Sequence, residues 1–272
     1  MRAKDQGLKD RSTTFSEPQL RIALQGTDAG TPVVLSHALG LDLSMWDGLA
    51  AELSQEHPVL RYDHRGHGGS ACPRGPYSLD DLVDDAARLI REWGRGPVVF
   101  VGLSMGGMVG QGLAIRHPEL LQGLVLANTT ALYPEEAKAA WAQRIVLVQQ
   151  QGMAAIADMV VERYLCSDFR AAQPSAAEAL REKIIGCNPS GYAACCQAVR
   201  DVDWLSRLHQ IRCPTLVIAG ALDVGATPAM VQAIAERIPA ARLEVMAEAS
   251  HLSVAESPLR FAEAVRGLLR AA

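Results

Sequence analysis

The sequence predicts an α/β fold, with a mostly parallel sheet, helices on both faces and a helical cap inserted into the chain. Three observations indicate this architecture. Short apolar, often β-branched runs recur along the chain. Segments with helical periodicity lie between them, an alternation typical of parallel sheets covered by helices. The alternation breaks once, between about Tyr133 and Leu205, where no strand-like run occurs.

The predicted elements follow the alternation in order, without an internal repeat or a low-complexity segment. The strands are Leu20 to Gln25, Val33 to Leu35, Leu60 to Tyr62, Val98 to Val101, Leu124 to Leu126, Leu216 to Ile218 and Leu243 to Val245. The helices are Met45 to Leu53, Leu79 to Trp93, Met105 to Arg116, Pro228 to Arg237 and Pro258 to Leu269. Residues 1 to about 15 are polar, and we expect them to be loosely held.

The interrupting block consists of helical pieces separated by residues such as Pro134, Gly152 and Pro174. It divides the chain into a first core segment (1–132), a helical cap (133–205) and a second core segment (206–272). An insertion after the Leu124 to Leu126 strand lies over the carboxyl edge of the sheet, where ligands bind in open α/β folds. We therefore expect the cap to close the active site and select the substrate.

Composition agrees with one globular unit and restricts the partners. The chain has 272 residues, of which 49% are hydrophobic and 21% charged, with a formal net charge of -4. This balance gives no reason to expect nucleic acid or an acidic membrane surface as a partner. The six cysteines lack metal or redox spacing, and the N-terminus has no apolar signal region, so we expect a cytoplasmic, soluble protein without membrane spans.

The most informative motif is G-L-S-M-G at residues 102–106. It follows a buried strand and precedes a helix, the setting in which G-x-S-x-G forms a nucleophile elbow. A serine on so sharp a turn takes strained dihedral angles, and residues without a Cβ are needed beside it. Ser104 is therefore the predicted nucleophile.

A serine nucleophile needs a base, and the base needs an orienting acid. Asp223 follows the buried run Pro214 to Gly220, and His251 follows the apolar-alternating segment Arg242 to Met246. The order Ser104, Asp223, His251, each beyond a predicted strand, is that of the α/β-hydrolase triad. Asp201 and Asp203 are competing acids, but they lie in a helical, charged segment.

Acyl transfer also needs hydrogen-bond donors for the developing oxyanion. One predicted donor is the backbone N–H of Met105, at the start of the helix after the nucleophile. The other is the backbone N–H of Ala38, in the loop after the Val33 to Leu35 strand. His37 in this loop is an alternative base, although we expect it to orient the loop because His251 already occupies the expected place.

The segment Tyr62 to Ser70 offers an alternative of a different kind, a metal site. His64 and His67 lie close together with an aspartate, but in a Gly-rich loop without a cysteine or further histidine cluster. We expect a structural turn in which Asp63 and Arg65 hold the loop. The predicted chemistry requires no metal and no cofactor.

These residues carry a resemblance. Over essentially its full length the chain resembles the α/β-hydrolases, and among them the 3-oxoadipate enol-lactonases of bacterial aromatic catabolism. The matching segments are Leu35 to Asp47, Tyr62 to Ser70, Gly102 to Gln111, the region of Trp141 to Met153, and Asn188 to Asp201. His37 departs from the family pattern, which more often has a small polar residue there.

The resemblance implies that Ser104 opens an enol-lactone ring with help from His251 and Asp223. Its substrate is carboxylated, so the pocket should offer a cation. Trp141 and Arg144 lie one helical turn apart and share a face. We expect Trp141 to wall the ring and Arg144 to pair with the carboxylate, or else Trp141 to be cap core and Arg144 to be solvated. Arg163 and Arg200 are the reserve candidates.

Other functions on the same scaffold stay open at this point. A carboxylesterase or another lactonase would use the same triad with a different cap. A C–C bond hydrolase of a related aromatic pathway would also keep it, and a non-catalytic ligand receptor could retain it unused. A haloalkane dehalogenase is disfavoured, because its nucleophile is a carboxylate and this elbow carries a serine.

Overall fold

A computed structural model describes residues 17–271, so the expectation for the first 15 residues lies outside the described part. The strands are β1 (Ile22–Gln25), β2 (Val33–Ser36), β3 (Val59–Tyr62), β4 (Val98–Leu103), β5 (Leu121–Ala127), β6 (Thr215–Gly220) and β7 (Arg242–Met246). Across the described residues they form one sheet in the order β1-β3-β2-β4-β5-β6-β7. Of these seven described strands, β1 alone pairs antiparallel, with β3, which confirms the predicted mostly parallel sheet.

The α-helices are α1 (Asp47–Leu53), α2 (Leu79–Trp93), α3 (Met105–Arg116), α4 (Glu135–Gln151), α5 (Ala157–Tyr164), α6 (Ser167–Ala172), α7 (Pro174–Ile185), α8 (Pro189–Arg200), α9 (Pro228–Ala235), α10 (Ser253–Glu256) and α11 (Pro258–Leu269). Helix α2 packs with α3, and α1 packs with α11. Every residue of the central strand β4 is buried, so helices cover both faces of the sheet.

The helix predicted near Met45 to Leu53 is confirmed from Asp47 onward, but its first turn differs. The structure instead has a 3₁₀ helix at Leu43–Trp46, followed by α1. The Asp42 carboxylate caps the 3₁₀ helix by accepting from Ser44 N–H, and the fully buried Trp46 side chain fixes its end. The Asp42 cap, three residues before Met45, therefore starts the element before its first predicted residue.

Helices α4 to α8 lie between β5 and β6, and the structure assigns no strand to that interval. We propose residues 133–205 as the cap. Its contacts reach the loops that follow the carboxyl ends of the strands: the Tyr164 hydroxyl donates to Leu39 O at 2.7 Å, and Lys183 pairs with Asp42 at 2.8 Å. No helix in residues 17–271 combines the length and apolar character needed to cross a bilayer.

Candidate active site

The nucleophile elbow forms where the sequence predicts it. Ser104 follows β4 directly and has φ 57° and ψ -115°, a left-handed conformation that costs a non-glycine residue energy. Three hydrogen bonds hold it: Ser104 N–H donates to Ala127 O, and Ser104 O accepts from Met108 N–H and from the Thr129 hydroxyl. The strained backbone is thus fixed from the neighbouring strand and from α3.

The flanking glycines are required by close backbone approach. A Cβ on Gly102 would lie 2.2 Å from Gly106 O, and a Cβ on Gly106 would lie 2.1 Å from Ser36 O. Only glycine fits at such distances. The second contact places the elbow against the end of β2, so the loop that begins at His37 starts beside the predicted nucleophile Ser104.

Asp223 and His251 form a buried pair at the same edge. The Asp223 side chain is fully buried, and its Oδ2 accepts from His251 Nδ1 at 2.7 Å. Its Oδ1 accepts from the N–H groups of Gly225 and Ala226. Burial alone would raise the pKa of Asp223, but the His251 imidazole and these hydrogen bonds outweigh it and hold the pKa below its ordinary value. The acid is therefore ionised and oriented toward the imidazole.

Asn128, which follows β5, connects the elbow to this pair. Its side-chain amide donates to Asp223 Oδ2 at 3.2 Å and to Ser250 O at 2.9 Å, while its oxygen accepts from Ser253. The preceding residue, Ala127, accepts from Ser104 N–H. Sequence reasoning missed Asn128. The signal that could have found it is a polar residue directly after a strand at the ligand-binding edge.

The structure brings the three predicted triad residues to one edge but joins only two of them directly. Within residues 17–271 the Ser104 hydroxyl makes no hydrogen bond with His251. In ligand-free enzymes, catalytic hydrogen bonds are often long and tighten when substrate binds. The His251 ring is held from the cap by Tyr164, whose ring centroid lies 4.8 Å away.

The two predicted oxyanion donors differ in this structure. Met105 N–H, at the first position of α3, has no hydrogen-bond acceptor in the described part of the chain. Ala38 N–H donates to the thioether sulfur of Met45 at 3.3 Å. A thioether is a weak acceptor, so this bond satisfies the amide without binding strongly. Sequence reasoning did not single out Met45.

The imidazole rings of His64 and His67 lie against that of His37, the first residue of the loop after β2. The Nδ1–H of His37 donates to Ala38 O, and its Nε2 accepts from His64 N–H. His67 Nε2 accepts from Gly40 N–H. Burial lowers the pKa of His37 to about 4 and that of His67 to about 3, so both imidazoles are neutral at pH 7. His37 is engaged through both nitrogens, in accordance with an orienting function rather than proton transfer.

The Gly-rich loop around these histidines is held as a turn. Asp63 accepts from Leu43 N–H and Gly69 N–H, and Arg65 pairs with Asp85 at 2.6 Å. Residues 17–271 contain no group of three or more metal-ligating side chains that could hold an ion.

The competing acids lie elsewhere. Asp201 directly follows α8 and is held by Arg200 through two hydrogen bonds of 2.7 Å. Asp203 is exposed and forms an isolated backbone bridge with Leu132. In the described structure neither carboxylate contacts His251.

The cap places an aromatic and cationic cluster above this edge. Trp141 is only 8% exposed, and the guanidinium carbons of Arg144 and Arg163 lie 4.5 and 5.9 Å from its ring. Tyr133 packs against the same ring. Neither arginine makes an ion pair with any described residue, whereas the reserve candidate Arg200 is paired with Asp201. Arg163 also packs against Gly225, two residues from Asp223.

Comparison with known proteins places the chain in context. A sequence model of the α/β-hydrolase fold matches residues 31–258. The chain is 37% identical over 257 residues to 3-oxoadipate enol-lactonase 2 of Acinetobacter baylyi, covering 94% of this chain and 95% of that protein.

Solved structures give the same result. The enol-lactonase from Burkholderia xenovorans LB400 superposes with a TM-score of 0.91 and 35% identity, over 95% of this chain and 99% of that one. A thermophilic esterase from Thermogutta terrifontis, in a malate-bound form, gives a TM-score of 0.88 and 32% identity, over 97% and 98% of the two chains.

Proposed function

This chain belongs to the α/β-hydrolase family, and we propose that it opens the ring of 3-oxoadipate enol-lactone by serine acyl chemistry, yielding 3-oxoadipate. The enol-lactonase relatives support the reaction class. The observation that supports this substrate is that Arg144 and Arg163 lie beside Trp141 without an acidic partner among the described residues. This lactone carries one free carboxylate, which their guanidinium groups could bind. A partly buried arginine without an acidic partner is available for an anionic ligand.

Acylation uses the residues at the carboxyl edge of the sheet. Ser104 attacks the lactone carbonyl while His251 accepts its proton, and Asp223 holds the imidazole tautomer and stabilises the imidazolium. The N–H groups of Met105 and Ala38 receive the developing oxyanion. Ala38 N–H must first exchange the Met45 sulfur for the oxyanion, which is a much stronger acceptor.

The steps after the attack of Ser104 follow from the cyclic structure of the substrate. Its acyl part and leaving group belong to one molecule, so nothing departs on acylation and the whole opened chain stays on Ser104. The leaving oxygen is an enolate, which takes the proton from the His251 imidazolium and becomes an enol, so His251 is again a free base. Tautomerisation of this enol to a ketone removes the group that could close the ring again. Water activated by His251 then hydrolyses the acyl-enzyme.

The cap would position the free carboxylate. Arg144 stacks on Trp141, and Arg163 lies between this ring and the Asp223 loop. A carboxylate bound there leaves the lactone ring against Trp141 and directs its carbonyl toward the edge. Arg144 is the proposed partner, with Arg163 beside it.

Hydrolysis assays with purified protein test the proposal. The panel comprises 3-oxoadipate enol-lactone, simple lactones, a dienol-ketone substrate of C–C bond hydrolases and p-nitrophenyl esters. We expect the highest kcat/KM on the carboxylated enol-lactone. A higher value on neutral esters would assign a carboxylesterase, and turnover of the dienol-ketone alone would assign a C–C bond hydrolase. No turnover of any substrate would favour a ligand receptor.

The serine mechanism has its own test. A serine-directed phosphonate should abolish activity and label Ser104, and activity should survive exhaustive EDTA treatment. Loss of activity with EDTA and its recovery with zinc would instead indicate a metal site at His64 and His67.

A further inference from the structure

Met45 occupies an unusual place beside the predicted oxyanion donors. Its thioether sulfur accepts the Ala38 N–H at 3.3 Å, so the side chain of one residue covers an amide that acyl transfer requires. A weak acceptor in this position costs the reaction little, because an oxyanion displaces it readily. An oxyanion would displace a stronger neutral acceptor on the same side chain less readily from the Ala38 N–H.

The backbone that carries Met45 is held from both ends. The Asp42 carboxylate accepts from Ser44 N–H, and Lys183 of the cap donates to the same carboxylate. Burial alone would raise the pKa of Asp42, but the hydrogen bonds from Lys183 and Ser44 lower it to about 2. On the other side the buried Trp46 ring packs against Phe261. Met45 is therefore held close to Ala38.

Accessibility separates Met45 from most methionines of the chain. Within the described residues, four methionines are buried: Met105, Met108, Met153 and Met246. Met45 and Met230 are partly exposed, and Met159 is 43% exposed. Of these three, Met45 is the one whose sulfur contacts a proposed oxyanion donor. Met159 contacts the Arg144 guanidinium at 3.9 Å instead.

We propose that Met45 is an oxidation site through which peroxide inactivates the enzyme. A lone pair of the Met45 sulfur attacks one oxygen of hydrogen peroxide, the O–O bond breaks and an S–O bond forms. The thioether is oxidised to a sulfoxide, and the peroxide is reduced to water. The sulfoxide oxygen is a strong, polar acceptor that replaces the sulfur at the Ala38 N–H.

The consequence is a loss of transition-state stabilisation. Loss of one oxyanion donor typically costs about 10² to 10³ in kcat. Because the donor acts on charge that develops during the reaction, kcat falls more than KM changes. Methionine sulfoxide reductases reverse the modification, and both epimer-specific types are needed for full recovery.

This inference rests on the proposed function of Ala38 as an oxyanion donor. The experiment exposes the full-length enzyme to hydrogen peroxide, then to dithiothreitol to reverse cysteine disulfides and sulfenic acids. Peptide mass spectrometry measures the added oxygen at Met45, and p-nitrophenyl acetate reports kcat. We expect kcat to fall in proportion to Met45 oxidation, about 10²-fold at completion, and to recover with the two reductases.

Two variants separate Met45 from other sites. The treated-to-untreated activity ratio should stay near one in Met45→Leu, whereas Met230→Leu should remain as sensitive as wild type. Full activity with Met45 oxidised, lack of oxidation at Met45, or equal inactivation of Met45→Leu would each overturn the proposal. The wild-type correlation and its reversal decide the matter even if Met45→Leu does not fold.

Failure of the proposed function gives results that differ from failure of the Met45 proposal. Untreated enzyme that hydrolyses p-nitrophenyl acetate but not the enol-lactone would disprove the substrate and leave the Met45 test intact. Activity that does not depend on Ser104 would disprove the serine mechanism before any peroxide is added.

Discussion

The carboxyl edge of the sheet and the cap differ in how their polar groups are satisfied. At the edge, the Asp223 carboxylate accepts from four donors and the strained backbone of Ser104 is held by three hydrogen bonds. In the cap, Arg144 and Arg163 lie beside Trp141 and form no ion pair with a described residue. The Asp223 carboxylate and the Ser104 backbone are therefore satisfied without a ligand, whereas the two cap arginines have no acidic partner among the described residues.

This difference corresponds to two functions, the chemical step at the edge and substrate selection in the cap. Fixed groups suit the chemistry, because reacting atoms must be held in place for every substrate. Unpaired cations suit selection, because they stabilise a ligand only if it carries the matching charge. We therefore expect changes at the edge to affect all substrates and changes in the cap to affect charged substrates.

The largest expected effect comes from the edge. Ser104→Ala and His251→Ala should each reduce kcat by about 10⁴-fold or more on charged and neutral substrates alike, because the triad acts as a unit. Asp223→Asn should lose similar or smaller amounts. Steady-state kinetics on folded proteins, checked by circular dichroism, measures this. Near-wild-type activity of Asp223→Asn together with loss in Asp201→Asn or Asp203→Asn would show that the acid is misassigned.

A smaller, selective effect is expected in the cap. Arg144→Ala should reduce kcat/KM for the carboxylated enol-lactone by about 10²-fold, the usual cost of deleting one partner of a buried charge pair. Hydrolysis of p-nitrophenyl acetate should barely change. Arg200→Ala is the matched control and should retain both activities, since Arg200 is paired with Asp201. Equal losses on both substrates would mean that Arg144 supports the fold of the cap.

Substitution of Tyr164 shows whether this cap residue acts with the sheet edge or with the cap arginines. It belongs to the cap, yet its ring contacts His251 and its hydroxyl donates to Leu39 O. Tyr164→Phe removes one neutral hydrogen bond, of about 1 kcal/mol, to the loop that carries Ala38, so we expect at most roughly a fivefold loss of kcat, equal on both substrates. A loss confined to the charged substrate would make Tyr164 a selectivity residue.

We expect the free energy of unfolding to depend on acid pH through histidines outside the cap. The chain has seven histidines, and none lies in residues 133–205. Burial lowers the pKa of His37 from its model-peptide value of 6.5 to about 4, so the unfolded chain binds more protons between these values. Stability should therefore fall as pH decreases from 6.5 to 4, by about 3 kcal/mol from His37 alone. Urea unfolding of His37→Asn should show a shallower pH slope, while the exposed His209→Asn keeps the wild-type slope.

Much of the edge could be predicted from the sequence because its signals are local. The G-x-S-x-G motif needs glycines wherever the backbone passes this close, so Ser104 is found by pattern. Asp223 and His251 each follow an apolar run, and parallel strands bring such positions to one edge. The same reasoning applies to Asn128, a polar residue that directly follows β5.

The cap and the 3₁₀ helix could be predicted only in part. Helical spacing correctly placed Trp141 and Arg144 on one face, but periodicity alone does not say which way that face points. The contributions of Tyr164 and Met45 depend on contacts with Leu39 and Ala38, which are distant in sequence. Docking of a helical insertion is a tertiary property, and short-range patterns do not encode it.

The division of tasks is tested most directly with two enol-lactones that differ only in a carboxylate or a neutral carboxamide. The measured quantity is the ratio of their kcat/KM values, in wild type and in the Arg144→Ala/Arg163→Ala double variant. We predict that wild type prefers the carboxylated lactone by about 10²-fold or more, and that the double variant loses this preference while retaining activity on the carboxamide. A preference that persists without the two arginines, or an equal loss on both lactones, would contradict this division.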